Sequence, residues 1–162
     1  MIVVVDTNVP VVANGRADQA SPACVLACVR QLRALMDEGT LVLDVDYRIL
    51  AEYRHNLRSS GQPGVGDGFL RWALTHQRTV RCSYVQLKLA APNDPNSFVD
   101  FPDDPRLAAF DPSDRVFAAA ARAHPDRPPV WEAVDTDWWQ HAQALQENGV
   151  AIEFLCPDDI AR

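Results

Sequence analysis

Four acidic residues stand where a folded chain of alternating strands and helices could bring them together. Asp6 follows the β-branched run Ile2-Val3-Val4-Val5, and Asp135 follows the stretch Val130 to Val134. Both close candidate strands, and in open parallel sheets ligands gather at the carboxyl ends of strands. Glu52 lies in the helical stretch Ile49-Leu50-Ala51-Glu52-Tyr53. At about 100° per residue it falls on the shoulder of the apolar stripe. Asp114 opens the alanine-rich segment Val116 to Ala121. A carboxylate beside a buried apolar stripe is costly unless it is paired or coordinates a metal. Converging carboxylates also raise one another's pKa values. A divalent cation resolves that conflict. Mg²⁺ or Mn²⁺ prefers oxygen ligands and keeps waters that a phosphate can displace. Such a site can generate a hydroxide nucleophile and neutralise a phosphodiester in its transition state. Each acid also has a plainer use. Asp114 suits a helix dipole, Asp135 and Asp137 suit a turn or cap, and Glu52 suits a solvated surface.

The elements that would position these acids follow from periodicity. Residues 2–5 read as a strand buried on both faces. Ser21-Pro22 starts a helix, whose apolar positions Val25, Leu26, Val29, Leu32 and Leu35 share a face, and Gly39 stops it. Leu41-Val42-Leu43 is a second strand, and Asp44 or Asp46 can cap the helix that carries Glu52. Residues 61–68 read as a flexible glycine-rich loop, 69–78 as a helix and 80–89 as a strand. Residues 92–105, rich in Pro, Asp and Asn, read as a long loop. A helix from Ser113, a strand over 130–134, a helix over 138–147 closed by Asn148-Gly149 and a strand over 150–155 complete the chain. Strands alternate with helices, so the expected fold is α/β with a mainly parallel central sheet of about five strands in one domain over 1–162.

The four acids, in this order and context, resemble the PIN-domain family of metal-dependent ribonucleases. Carrying the resemblance are strand–Asp6-Thr7-Asn8, the helical Glu52, Asp114-Arg115-Val116-Phe117-Ala118-Ala119-Ala120-Ala121, and strand–Asp135-Thr136-Asp137-Trp138. It implies a Rossmann-like three-layer α/β/α sandwich and a Mg²⁺ or Mn²⁺ site. Asp6, Glu52, Asp114 and Asp135 would be its catalytic and metal-holding acids, with Asp137 a fifth. Thr7 or Asn8 would orient Asp6 or a bound water. Many small members are toxins of toxin–antitoxin pairs, of the VapC type, that cleave RNA. The implied partners are therefore an RNA substrate, a small antitoxin that inserts a basic residue into the acidic pocket, and a second copy in a homodimer. Two further functions remain open: a non-catalytic scaffold of the same fold, and a phosphatase with Asp6 as nucleophile, of the haloacid-dehalogenase kind. The latter pattern wants an acid where Asn8 stands.

Composition bounds these readings. With 162 residues, 48% of them hydrophobic and 23% charged, the chain can build a real core. No apolar run approaches the roughly 20 residues of a membrane span. The N-terminus lacks a signal-peptide pattern, so a cytoplasmic location is expected. The net charge of −7 argues against a general phosphate-binding surface. RNA would have to be reached through the metal and a few arginines, of which Arg16, Arg54, Arg58 and Arg115 lie nearest the acids in sequence. Trp131, Trp138 and Trp139 could stack on bases, although core packing explains them as well. His55 reads as a surface histidine. Cys24, Cys28, Cys82 and Cys156 read as buried free thiols of a reducing compartment.

Overall fold

The valine run at the start of the chain becomes the central strand of a sheet, and everything else is arranged around it. A computed structural model describes residues 1–61 and 63–161. Strand β1 (Ile2–Val5) pairs in parallel with β2 (Thr40–Asp44) on one side and β4 (Val130–Glu132) on the other. Strand β3 (Cys82–Val85) extends the sheet beyond β2, and β5 (Ile152–Phe154) extends it beyond β4. The order among the described residues is β3-β2-β1-β4-β5, all parallel, with helices flanking the sheet as a Rossmann-like three-layer sandwich. Chain order reverses between β1 and β4, so the crevice above their carboxyl ends is the topological switch point.

The helices are set by local rules. In α2 (Pro22–Glu38), the Ser21 hydroxyl accepts from Cys24 N at 3.2 Å and proline occupies the first turn. Helix α3 (Arg48–Asn56) is held by Asp44, whose two carboxylate oxygens accept from Arg48 N and Ile49 N at 3.0 and 2.9 Å. Helices α5 (Arg115–Ala123) and α6 (Thr136–Glu147) follow a strand end or a 3₁₀ turn, and Gly149 closes α6 at a φ of 87°.

Three stretches differ from their sequence pattern. Asn8–Ala13 forms helix α1, although valines and Pro10 make it a poor helix former; burial of Val9, Val12 and Ala13 outweighs propensity. The expected loop over 61–68 ends early, because Val65 already starts helix α4 (Val65–His76); Gln62 lies outside the described residues. Here Gly66 lets α4 approach α1 closely, since a Cβ would run into the Pro10 carbonyl. Buried Asp67 then ties the corner together, accepting from Asn14 Nδ2, Arg58 N and Gly64 N at 3.0, 2.8 and 3.1 Å. These bonds hold its carboxyl below the ordinary aspartate range against the cost of its burial. The strand expected over 80–89 is confined to 82–85, after which the chain makes an isolated antiparallel bridge between Leu89 and Phe98.

The cysteines correct the sequence expectation. Cys24 and Cys156 form a disulfide, while Cys28 and Cys82 are free and buried. The bond joins the first turn of α2 to the start of the short helix α7 (Pro157–Ile160). Asp159 reinforces the junction by accepting from Ser21 N and Ser21 Oγ at 2.6 and 3.1 Å. Among the described residues no helix is long and apolar enough to cross a membrane.

The disulfide spans 132 residues of sequence. In the chain-entropy account a crosslink closing so long a loop is worth about 3–5 kcal/mol. Cys156→Ala is therefore expected to lower the unfolding free energy by about that amount in urea titration under non-reducing conditions. An unchanged midpoint would show that the bond does not form.

Candidate functional site

Asp6 stands immediately after β1, and its surroundings follow from that position. It is only 2% exposed. Its Oδ2 accepts from Asn8 N at 2.9 Å, a contact made as the backbone turns into α1. The Asn8 side chain reaches across the switch point, its Oδ1 accepting from Val134 N at 2.8 Å. The ends of β1 and β4 are thereby locked together. Glu52 is brought in by α3. Its neighbour Tyr53, fully buried, donates its hydroxyl to Val5 O at 2.7 Å, which pins the helix against the end of β1. Asp114 arrives in the 3₁₀ turn Pro112–Asp114 that precedes α5. Asp135 caps α6, accepting from Asp137 N at 2.9 Å.

These elements bring Asp6, Thr7, Asn8, Glu52, Asp114 and Asp135 to the wall of one open cleft of about 250 Å³. Val11, Asn56 and Ser113 complete it. Asp137 turns away, accepting from Asp111 N at 2.9 Å and meeting His141 Nδ1 at 3.1 Å, so it braces the turn that presents Asp114. Thr7 contributes a buried hydroxyl for which no partner is seen.

One acid went unnoticed in the sequence. Glu132, the last residue of β4, is fully buried behind Asp6. Its Oε1 accepts from Ala133 N and Asp135 N at 2.8 and 3.1 Å, shaping the turn that carries Asp135. The two carboxyl groups hydrogen-bond each other. Asp6 Oδ1 and Glu132 Oε2 are the oxygens with no other partner. Burial and the Asp6 charge push Glu132 well above the ordinary glutamate range. Glu132 is accordingly the neutral donor and Asp6 the acceptor. The signal was present as one charge at the end of a strand otherwise buried on both faces.

The other carboxyls show the same crowding. Burial raises Asp6 to about 6, with Asp135 and Glu52 adding repulsion and the bonds from Glu132 and Asn8 opposing it. Asp114 rises to about 9, through burial and then the charges of Asp6 and Asp135. Asp135 is also raised, chiefly by burial. The cleft thus disfavours negative charge, and its carboxyls keep their protons to higher pH than free ones do. Hard oxygen donors, mutual repulsion and the unpartnered buried hydroxyl of Thr7 at the cleft wall fit a divalent cation. The acids form a loose set. Among the described residues the only three metal-capable atoms within 4.8 Å of one another are the sulfurs of Cys24, Cys28 and Cys156. A loose set suits Mg²⁺, which binds through one or two carboxylates and retains water.

The arginines are distributed differently from their sequence order. Arg16 pairs with Asp67 at 3.5 Å. Arg54 lies beside Tyr47 and Arg78 in another cleft, and the exposed Arg58 donates its backbone N–H to Asp67. Arg115 donates to Ala108 O and Phe110 O, with its guanidinium 5.1 Å from the Phe101 ring centroid. None of the four borders the acidic cleft. Arg48 lies closer. It lines a second cleft, of about 190 Å³, that shares Glu52 and Ser113 with the first. That cleft in turn shares Asn96 and Phe98 with a groove of about 670 Å³ built by the loop over 90–108. Trp131 and Trp138 are core residues, Trp139 is partly exposed against Phe154, and His55 is exposed away from the acids.

Comparison with known protein families, with curated proteins and with solved structures finds no match to this chain.

Two outcomes follow from the electrostatics. A carboxyl raised on folding leaves stability unaffected below its unfolded pKa, near 4, and costs stability as pH climbs toward its folded value. For Asp114 that window runs from about 4 to about 9. Asp114→Asn is expected to raise the melting temperature at pH 8 in chelator and to change it little at pH 4, as scanning calorimetry can test. Glu132→Gln keeps an acceptor for the two backbone N–H groups and a donor for Asp6, so the fold should persist. Glu132→Ala strands both N–H groups and is expected to cost about 2–3 kcal/mol in denaturant titration.

Proposed function

We propose that the chain is a Mg²⁺- or Mn²⁺-dependent endoribonuclease of the PIN-domain kind. The observation that carries this reading is the cleft at the switch point between β1 and β4, walled by Asp6, Glu52, Asp114 and Asp135. When bound there, a divalent cation supplies Lewis acidity toward water and toward a phosphodiester oxygen. Asp6, Glu52, Asp114 and Asp135 would hold it. The remaining work belongs to positioned side chains. Asn8 N–H and the Glu132 carboxyl fix the two oxygens of Asp6 in place. Asn8 Oδ1 keeps the Val134 backbone, and with it Asp135, at the correct distance from β1. Arg48, beside the shared wall formed by Glu52 and Ser113, is suited to pair with a backbone phosphate.

The succession of clefts from the acids to the loop over 90–108 supports a polymeric substrate rather than a small phosphate ester. An aspartyl-nucleophile mechanism has less support, because Asn8 stands where that pattern wants a second acid. In a toxin role, a small antitoxin would close the cleft by placing an Arg or Lys among the carboxylates, and a homodimer would be a natural form. The same reading puts the enzyme in the cytoplasm with its RNA.

Purified protein should cleave total RNA with Mn²⁺ or Mg²⁺ and stop with chelator. The Asp6→Asn, Asp114→Asn double variant should lose at least about 100-fold in rate, as expected when charge stabilisation in the transition state is removed. Undiminished cleavage by that variant, or cleavage in chelator, would sink the proposal. Folded protein that binds RNA without cutting it would favour the scaffold function.

A further inference from the structure

Remote from the acids, three of the four cysteines meet at one junction. Cys24 and Cys28 lie one helical turn apart on the buried face of α2, and Cys156 faces both from the start of α7. The three sulfurs lie within 4.8 Å of one another. Cys24 holds the disulfide, and the free Cys28 Sγ stands 3.9 Å from Cys156 Sγ. The junction also has an inside and an outside. A cleft of about 190 Å³ is bordered by Cys24, Cys156 and Ser21, with Asp158 and Asp159 at its rim. Cys28 does not border that cleft and is wholly buried.

We propose that Cys24, Cys28 and Cys156 form a thiol–disulfide exchange site that delivers Cys24 to the cleft, where it reacts with a low-molecular-weight disulfide. In the first step Cys28 Sγ attacks Cys156 Sγ and, since Cys28 is wholly buried, its proton passes to the departing Cys24 Sγ. The Cys28–Cys156 bond forms, the Cys24–Cys156 bond breaks, and the electron pair leaves on Cys24. Nothing is oxidised or reduced overall. In the second step Cys24, which borders the cleft, loses that proton to water, and its thiolate attacks the small disulfide, forming a mixed disulfide and releasing one small thiolate. Helix geometry is what makes the two partners of Cys156 interchangeable, because residues four apart present their side chains to the same neighbour. The Ser21–Asp159 hydrogen bonds hold α7 against α2 throughout, so the exchange needs no refolding. Burial pushes the Cys28 thiol up to about 12, which makes the first step slow and sets the timescale of the site.

A purely structural disulfide with a bystander thiol predicts a different result. Oxidised protein is incubated with glutathione disulfide at pH 8.5, quenched in acid and mapped by peptide mass spectrometry without reduction. The expected products are a glutathione adduct on Cys24 and a Cys28–Cys156 linkage. In Cys28→Ala the adduct should be lost and the Cys24–Cys156 bond retained. An intact Cys24–Cys156 bond without adduct in the natural chain would overturn the proposal, as would an equal adduct in Cys28→Ala. Should Cys28→Ala fail to fold, Cys24→Ala decides. Oxidised in the same way it should form Cys28–Cys156, and two free thiols there would overturn the proposal.

Discussion

Shared ownership of one proton by Asp6 and Glu132 is the constraint on which the cleft depends. Two carboxyls buried at the ends of adjacent strands resist being charged together, and Glu132 is cut off from the surface entirely. One proton between them converts a repulsion into a bond. That bond faces Asp6 toward the cleft wall and leaves the other Glu132 oxygen free to gather two backbone N–H groups. The turn after β4 takes its shape from those contacts, and Asp135 takes its place from the turn. With Asn8 bridging the same gap from the other strand, the distance between the two strand ends is fixed twice over. A charged ligand meeting such a site finds its partners already oriented, so little is spent on ordering them.

The electrostatic design explains how an acidic chain can have a reading that involves a polyanion. The net charge of −7 describes the whole chain, whereas the character of the cleft is set by a few buried oxygens. Glu52 and Asp114 come from opposite walls, one on a helix pinned by Tyr53 and the other on a 3₁₀ turn braced by Asp137. Each wall is anchored by a hydrogen bond that spans tens of residues of sequence, so the cleft belongs to the fold as a whole and not to a single loop.

Much of this was legible in the sequence, because the strongest signals are local. The valine run, the Ser21-Pro22 start, the alanine-rich helix after Asp114 and the Asn148-Gly149 stop each state their role within a few residues. The acids at strand ends could be found because the parallel sheet tells where its ligand edge lies. What escaped was set by long-range packing. Residues 8–13 become helical because the core takes their valines, and 65–68 join a helix where Asp67 finds donors on Gly64, Arg58 and the distant Asn14. Glu132 reads as one more strand residue until Asp6 is placed beside it. The arginines nearest the acids in sequence turned elsewhere: Arg16 and Arg58 meet Asp67, and Arg54 leaves its helix on another side, while Arg48, a turn before Glu52, lines the neighbouring cleft. Cys156 found its partner across 132 residues, a pairing that no local pattern encodes.

The crosslink between Cys24 and Cys156 also alters what kind of object the chain is. Covalently, the residues between them form a ring that contains every acid of the cleft wall except Asp6. A peptide bond hydrolysed in either surface loop would open the ring without dividing the molecule. Both halves of the cleft would remain tethered, so its geometry would outlast a break in the backbone for as long as the sulfurs stay joined.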